Sequence, residues 1–472
     1  MLKVIIEKEI RDQLGSAKFL LAFVVCAVLT VLSFYVGASN YEAGRVRHEA
    51  AQAENLRRLE GVTDWLMVRE NRVFLPPQPL ASLVTGISND IGRTTEIQGR
   101  GELAAHDSRY NEEPLFAVFR FLDLEFLFMV VLSLFAILLG YDAVSGEKER
   151  GTLRLALANA VPRPTFILGK IIGSFLSLSA GLLVAVVIGC LLLPLMGVPM
   201  TGVDWARLGL IVVCGLLYVG AFLTISIFVS TATHRSSSSF LISLVVWIVA
   251  VLIVPRASVL LAGRAVDVPS VDNIGAQKAG YASGLWADFR EGMAGFSAEP
   301  GENPEKIVEA LNNYMDSLTT IRDDKFNAFA SRLNEERRNR SLQRQSVAFN
   351  LARISPAASL SLAAAELAGT SLSLTERYHE NVLAYQKSYA DFMREKTGMN
   401  VGGSMIMMKF TNDDDEEAEK TIDPTEMPAF VFQPPSLTET VQASAVDIGL
   451  LALFNLAFFA ASFVAFNRYD AR

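Results

Sequence analysis

Six long runs of apolar residues with almost no charge constrain this chain more than any other feature. A helix rises about 1.5 Å per residue, and the hydrocarbon core of a bilayer is about 30 Å thick. A run of about 20 such residues is therefore a helix that crosses a membrane. The runs are 19–37, 119–141, 171–193, 208–233, 236–255 and 448–467. Hydrophobic residues make up 51% of the 472, little more than the roughly 45–50% of an average soluble protein. Their gathering into runs is what decides the class. The expected fold is an all-α polytopic membrane protein with six transmembrane helices. It carries a mainly helical extracytoplasmic domain with a small mixed α/β part.

Short-loop Lys and Arg set the orientation. The N-terminal stretch carries Lys3, Lys8, Arg11 and Lys18, and the loop after the second run carries Lys148, Arg150, Arg154, Arg163 and Lys170. Arg235 follows the fourth run, Arg468 and Arg472 lie in the tail, and the short loop after the third run has only Arg207. Both termini, the loop 142–170 and the tail 468–472 are thus expected on the cytoplasmic side, with segments 38–118 and 256–447 facing outward. Residues 1–18 place Leu2, Ile5, Ile6, Ile10 and Leu14 at helical spacing between charges. This is the pattern of an amphipathic helix lying at the inner membrane surface. A plain beginning of the first membrane helix is the alternative. The first run exceeds the usual core of a signal peptide and is read as retained.

The first outward segment opens with a helical stretch, 40–60, that continues the first span. Residues 62–75 alternate as a strand does, and Pro76-Pro77-Gln78-Pro79 breaks them. In the second, 303–353 reads as helix, ended by Ser355-Pro356. Ile307, Leu311, Tyr314, Leu318 and Ile321 recur four and three apart, the spacing of a packed seam. A straight helix of that length would reach about 75 Å, so a bend or hairpin within it is expected. A second helix, 374–396, is expected to pack against it as a stalk or lid. The acidic run 412–419 lacks the spaced acids and turn glycine of a calcium loop and reads as solvated.

Several chemistries are excluded. Net charge is -8, without the basic patch of a nucleic-acid binder. Cys26, Cys190 and Cys214 all lie in apolar runs, where they read as small buried hydrophobes. No P-loop, H-E-x-x-H, paired C-x-x-C or G-x-S-x-G is present. The four histidines are too scattered to suggest a metal site. The chain reads as no enzyme by itself, with no bound cofactor.

The informative stretch follows the second run. Asp142, Glu147, Lys148, Glu149, Arg150, Gly151, Thr152, Leu153 and Arg154 make a short charged helix that Gly151 ends or bends. Such a knob can dock on a cytoplasmic partner and move both spans it joins. A solvated loop obeying the charge bias is the plainer alternative. The stretch resembles the permease family of ABC transporters, in its type-2, exporter-like class. There the pattern D-x-x-x-x-E-x-x-x-G-T-L precedes a Pro-Arg and a Leu-Gly-Lys, and Asp142, Glu147, Gly151, Thr152, Leu153, Arg163 and Lys170 stand at those places. The resemblance extends to Lys8-Glu9, Ser355-Pro356, Ala368-Gly369-Thr370 and the 466–470 end, as in a subgroup with a long extracytoplasmic insertion.

That resemblance implies a coupling helix seated in a groove of a separate ATPase, which would bind ATP and Mg. It implies two ATPase subunits, a second permease copy or paralogue, and a bacterial inner membrane. A protein partner outside the membrane is a further expectation. Two acids stand on physics alone. The 16 residues from Phe126 to Tyr141 span only about 24 Å, which puts Asp123 and Glu125 at the outer boundary of the second span. Interface solvation is the plain reading. Gating, or pairing with an outer arginine, is the sharper one. An exporter subunit, a force-transmitting protein that moves no solute, and a receptor or scaffold are the competing functions.

Overall fold

The computed structural model describes residues 1–68, 71–88, 90–97, 103, 105–106, 123–158, 162–297, 304–397 and 421–468. The acidic run 412–419, residues 119–122 at the start of the second apolar run and the tail residues 469–472 lie outside the described residues. The protein is helical almost throughout. Helix α1 is Leu2–Leu14 and α2 is Ala17–Arg57. Ser16 separates them by accepting a hydrogen bond from the Phe19 amide, which satisfies one of the free donors at the start of a helix. Helix α2 carries the first apolar run and continues past it, as the pattern of 40–60 predicts. A small antiparallel sheet follows, in the order β1 (Asn71–Phe74), β2 (Thr94–Ile97) and β3 (Ala105–His106).

Helix α3 is the contiguous run Leu124–Phe126, Leu127–Leu132 and Ser133–Gly140, whose middle piece is a π-helical turn. Two short helices come next, α4 (Ser145–Glu149) and α5 (Thr152–Ala158). Helix α6 is Arg163–Leu195 and α7 is Gly202–Ala232. Helix α8, Ser236–Ala265, holds a second π turn at Ile248–Ile253. It is followed by α9 (Val271–Ala294), α10 (Pro304–Ala352), α11 (Pro356–Ala368), α12 (Ser373–Thr397) and α13 (Leu437–Asn467).

Seven helical stretches among the described residues are long and apolar enough to cross a membrane. Six carry the six apolar runs. The seventh is α11 and α12 taken together, Pro356–Thr397. It is interrupted at Gly369, whose φ of 70° is the left-handed conformation that ends a helix.

At the centre, α7 packs against α13, α3 and α11. A π turn leaves a backbone carbonyl poorly used by its own helix, and in an apolar interior that oxygen needs another donor. Both π turns receive one. The Tyr218 hydroxyl donates to the Met129 carbonyl at 2.9 Å, and the Ser355 hydroxyl donates to the Ala250 carbonyl. The Trp247 indole, beside the second turn, donates to Ser133 Oγ at 2.7 Å. The two distorted helices are thereby tied to each other and to the α10–α11 turn.

The sequence reading needs two corrections beyond the membrane helices. Residues 304–352 form one uninterrupted helix of 49 residues, so the expected bend or hairpin is not inside it. The hairpin is made instead with α9, a helix the sequence reading passed over. Tyr281 stacks on Phe329 at 4.1 Å, Arg322 lies over Trp286 at 4.1 Å, and the Tyr314 hydroxyl donates to the Gly292 carbonyl at 3.0 Å. The seam is used in part: Tyr314 and Leu318 lie against Gly292 of α9, while Ile321 is exposed. Helix α12 spends its apolar face elsewhere. Tyr378, Val382, Tyr385 and Tyr389 share a core with Val73 and Leu75 near the sheet, while an Arg338–Glu376 ion pair at 3.4 Å links α12 to α10.

Candidate functional site

The loop between α3 and α6 is built into the bundle from three sides. Ser230, near the end of α7, accepts hydrogen bonds from the Val144 and Ser145 amides at 3.0 and 2.9 Å. Lys148 donates to the Thr231 carbonyl and, at 2.9 Å, to that of Thr233. These are among the free carbonyls at the C-terminus of α7, where a cation also complements the helix dipole. Glu149 accepts from the Ser236 amide at 3.3 Å and hydroxyl at 2.9 Å, so a carboxylate caps the N-terminus of α8. Helix α4 thus closes the joint between two long helices with one charge of each sign.

Glu147 faces inward. Its carboxylate lies 2.8 Å from Lys170 Nζ, which lies 3.0 Å from Glu9 on α1. All three side chains are at most 10% exposed. Gln13 extends the cluster, donating to Ser174 Oγ at 2.6 Å. Glycines let α1 approach α6 this closely: a Cβ at Gly169 would stand 2.5 Å from Ile5, and one at Gly173 would stand 2.7 Å from Glu9. The amphipathic N-terminal helix therefore has its polar Glu9 and Gln13 buried against α6, with Val4 and Leu14 exposed.

The remaining predicted residues divide by face. Asp142 is 3.1 Å from Lys18, whose amine also donates to the Tyr141 hydroxyl at 2.7 Å. Leu153 is fully buried. Gly151 has a φ of 75°, which a side chain would strain, and it makes the corner between α4 and α5. Glu149, Arg150, Thr152, Arg154 and Leu155 are exposed, Leu155 to 66%. The described residues of the loop thus offer an outward face of mixed charge that includes the exposed Leu155.

Asp123 and Glu125 lie at the opposite end of α3, away from this cluster. Asp123 is the N-cap of α3, accepting from the Phe126 amide at 2.8 Å and from the Thr85 amide at 3.3 Å. Glu125 accepts a hydrogen bond from Ser361 on α11. Among the described residues, Asp447 on α13 pairs with an arginine, as Glu439 on the same helix does with Arg377. Asp447 is 1% exposed and takes a two-pronged contact from Arg353 at 2.8 and 2.9 Å. Sequence reasoning missed this pair. An acid at the edge of the sixth apolar run was the available signal.

The long apolar helices, packed on one core and joined by buried polar clusters at their ends, define a helical polytopic membrane protein. A family model described as ABC-2 family transporter protein matches residues 3–471, and the chain belongs to that family. A 125-residue stretch is 33% identical to the protein called Probable ABC transporter permease protein NosY of Stutzerimonas stutzeri. That stretch is 26% of this chain and 45% of NosY, so the chain matches less than half of that relative's length.

Proposed function

We propose that the chain is the membrane-spanning permease subunit of an ATP-binding cassette exporter whose ATPase is a separate subunit. Six helices cross the membrane, with both termini inside. Helix α11 has 13 residues and reaches only about 20 Å at helical rise, short of the core. Helix α12 is amphipathic and charged, so the α11–α12 pair is not a seventh span. Segments 38–118 and 256–447 then form the extracytoplasmic domain, and the 142–170 loop faces the cytoplasm of a bacterial inner-membrane protein.

The observation that carries this reading is the loop's two-sided construction. Its inner face joins α1, α6, α7 and α8 through Glu147, Lys148 and Glu149, while Arg150, Thr152, Arg154 and Leu155 face away. A force applied to that outer face reaches four helices through short polar contacts. Two ATPase subunits carrying ATP and Mg, closing on each other, supply the force, and a second permease copy or paralogue completes the complex. Asp123 and Glu125 stand where α3 meets the outer domain and serve its movement.

The test is to purify the tagged chain from its host in mild detergent and identify what accompanies it. A stoichiometric P-loop ATPase, lost in the Arg154→Glu/Leu155→Asp double variant while the chain stays folded, supports the reading. Absence of an ATPase from the folded wild-type chain overturns it. A force-transmitting role without solute transport is favoured by one observation: α8 leads directly into the long α9–α10 hairpin. ATP-dependent activity of an outer partner in sealed vesicles, with no solute movement, would select that role.

A further inference from the structure

Helix α8 turns one side away from the rest of the chain. Val245, Val249, Ile253, Leu260 and Leu261 are exposed along it, and two arginines, Arg256 and Arg264, stand exposed among them. Arg256, Leu260 and Arg264 are four apart, so they follow one another up one side of the helix. Among the described residues no carboxylate pairs with either arginine. Asp267 is the nearest acid along the chain, and it pairs with neither.

The depth of the two arginines follows from the other end of α8. Phe240 meets the Tyr141 ring at 5.3 Å, and the Tyr141 hydroxyl and Asp142 hold Lys18. Phe240 therefore stands at the cytoplasmic edge of the hydrocarbon. Helix α8 runs without a break from there to Ala265. Arg256 is 16 residues past Phe240, about 24 Å at helical rise, and lies inside a core about 30 Å thick. Leu260, 20 residues past Phe240, stands at about 30 Å. Arg264, 24 residues past it, stands at about 36 Å. The two guanidiniums thus bracket the outer edge of the hydrocarbon, next to the layer of lipid headgroups. An arginine just inside that edge extends its apolar stem so that the charge reaches the headgroups.

We infer that Arg256 and Arg264 clamp the phosphate of an anionic phospholipid of the outer leaflet, whose acyl chain lies along Ile253, Val249 and Val245. Guanidinium and phosphate make charge-assisted, two-pronged hydrogen bonds. A charge on a helix face turned to hydrocarbon needs such a partner. A second copy of the chain is the poorer occupant. Around a two-fold axis each α8 presents the same side to the other. That sets Arg256 near Arg256, and α8 carries no acid to separate them. Two cations without a carboxylate favour a headgroup that is itself net negative. The inference rests on the membrane placement of α8 and needs no ATPase, so its failure and that of the coupling reading are distinguishable.

The test uses the full-length chain in nanodiscs of phosphatidylcholine and phosphatidylglycerol in equal parts. Retained lipid and oligomeric state are read by native mass spectrometry. Phosphatidylglycerol is expected to be retained preferentially by the wild type. Its retention should fall on the order of tenfold in Arg256→Gln/Arg264→Gln, while Arg290→Gln on α9 behaves as wild type. Arg264→Glu, which changes only the residue outside the hydrocarbon, should lose retention too and covers the case in which the double variant does not fold. Equal retention by wild type and both variants overturns the inference. Equal retention of the two lipids by the wild type overturns it as well and leaves an ordinary contact with the bilayer. A double variant that loses its dimer but keeps its lipid also overturns it and gives the exposed side of α8 to a second copy.

Discussion

The two ends of the bundle each hold buried charge, but they are built differently. At the end carrying α1, one lysine serves two carboxylates, Glu9 and Glu147, and all three are nearly sealed from solvent. At the other end, one arginine meets one carboxylate in a planar fork, and Arg353 remains about a quarter exposed. Burying a charge costs several kcal/mol unless partners compensate. The lysine cluster is compensated only while three separate elements stay in place. The fork is compensated by a single bidentate contact, a geometry that suits guanidinium and carboxylate. The first arrangement therefore makes α1, the loop and α6 depend on one another. The second pins one turn, 353–355, to α13.

The largest effect is expected where that dependence is cut. Lys170→Ala leaves two facing carboxylates buried without their cation and should cost about 3–5 kcal/mol. The apparent melting temperature of the detergent-purified chain should drop sharply. Adding Glu9→Gln and Glu147→Gln should restore much of it. A triple variant no better than the single would break the account of the cluster as one unit. Glu147→Arg, which sets a second cation beside Lys170, belongs with these destabilising changes and is a poor probe of coupling alone.

Arg353→Ala strands the sealed Asp447 and should cost about 3 kcal/mol. Asp447→Ala strands an arginine that can still reach water, and should cost less. The melting temperatures of the two variants give the asymmetry directly. Equal losses would mean that Asp447 is not the more deeply buried partner.

The smallest effect belongs to the third ion pair, Lys18–Asp142. Its side chains are 49% and 35% exposed, and such pairs contribute about 0–1 kcal/mol. Lys18→Gln should leave the melting temperature almost unchanged, with any difference fading in high salt. A loss comparable to that of Lys170→Ala would show that exposure is not what separates these pairs.

Much of this was legible in the sequence. Hydropathy is a sum over neighbours along the chain, so the six apolar runs declare themselves without tertiary information. The helical extension of α2 past its apolar run and the Gly151 corner are local features too. The extent of α10 was legible, but a bend was expected inside it because 49 residues of helix need support; that support includes α9, a helix with few strongly apolar positions. Glu147 read as a docking residue because a charge in a loop is usually solvated. Only packing shows that Lys170 lies beneath it.

The sequence by itself determined the membrane class, the apolar runs and the charged loop that resembles an ABC permease. The apolar runs and the charged loop each depend on residues close together in the chain. The tertiary structure decided which charges are buried and with whom. Glu9 and Lys170 are 161 residues apart, and Arg353 and Asp447 are 94 apart. An ion pair's strength depends on distance and on exclusion of water. Neither exists until the helices have packed.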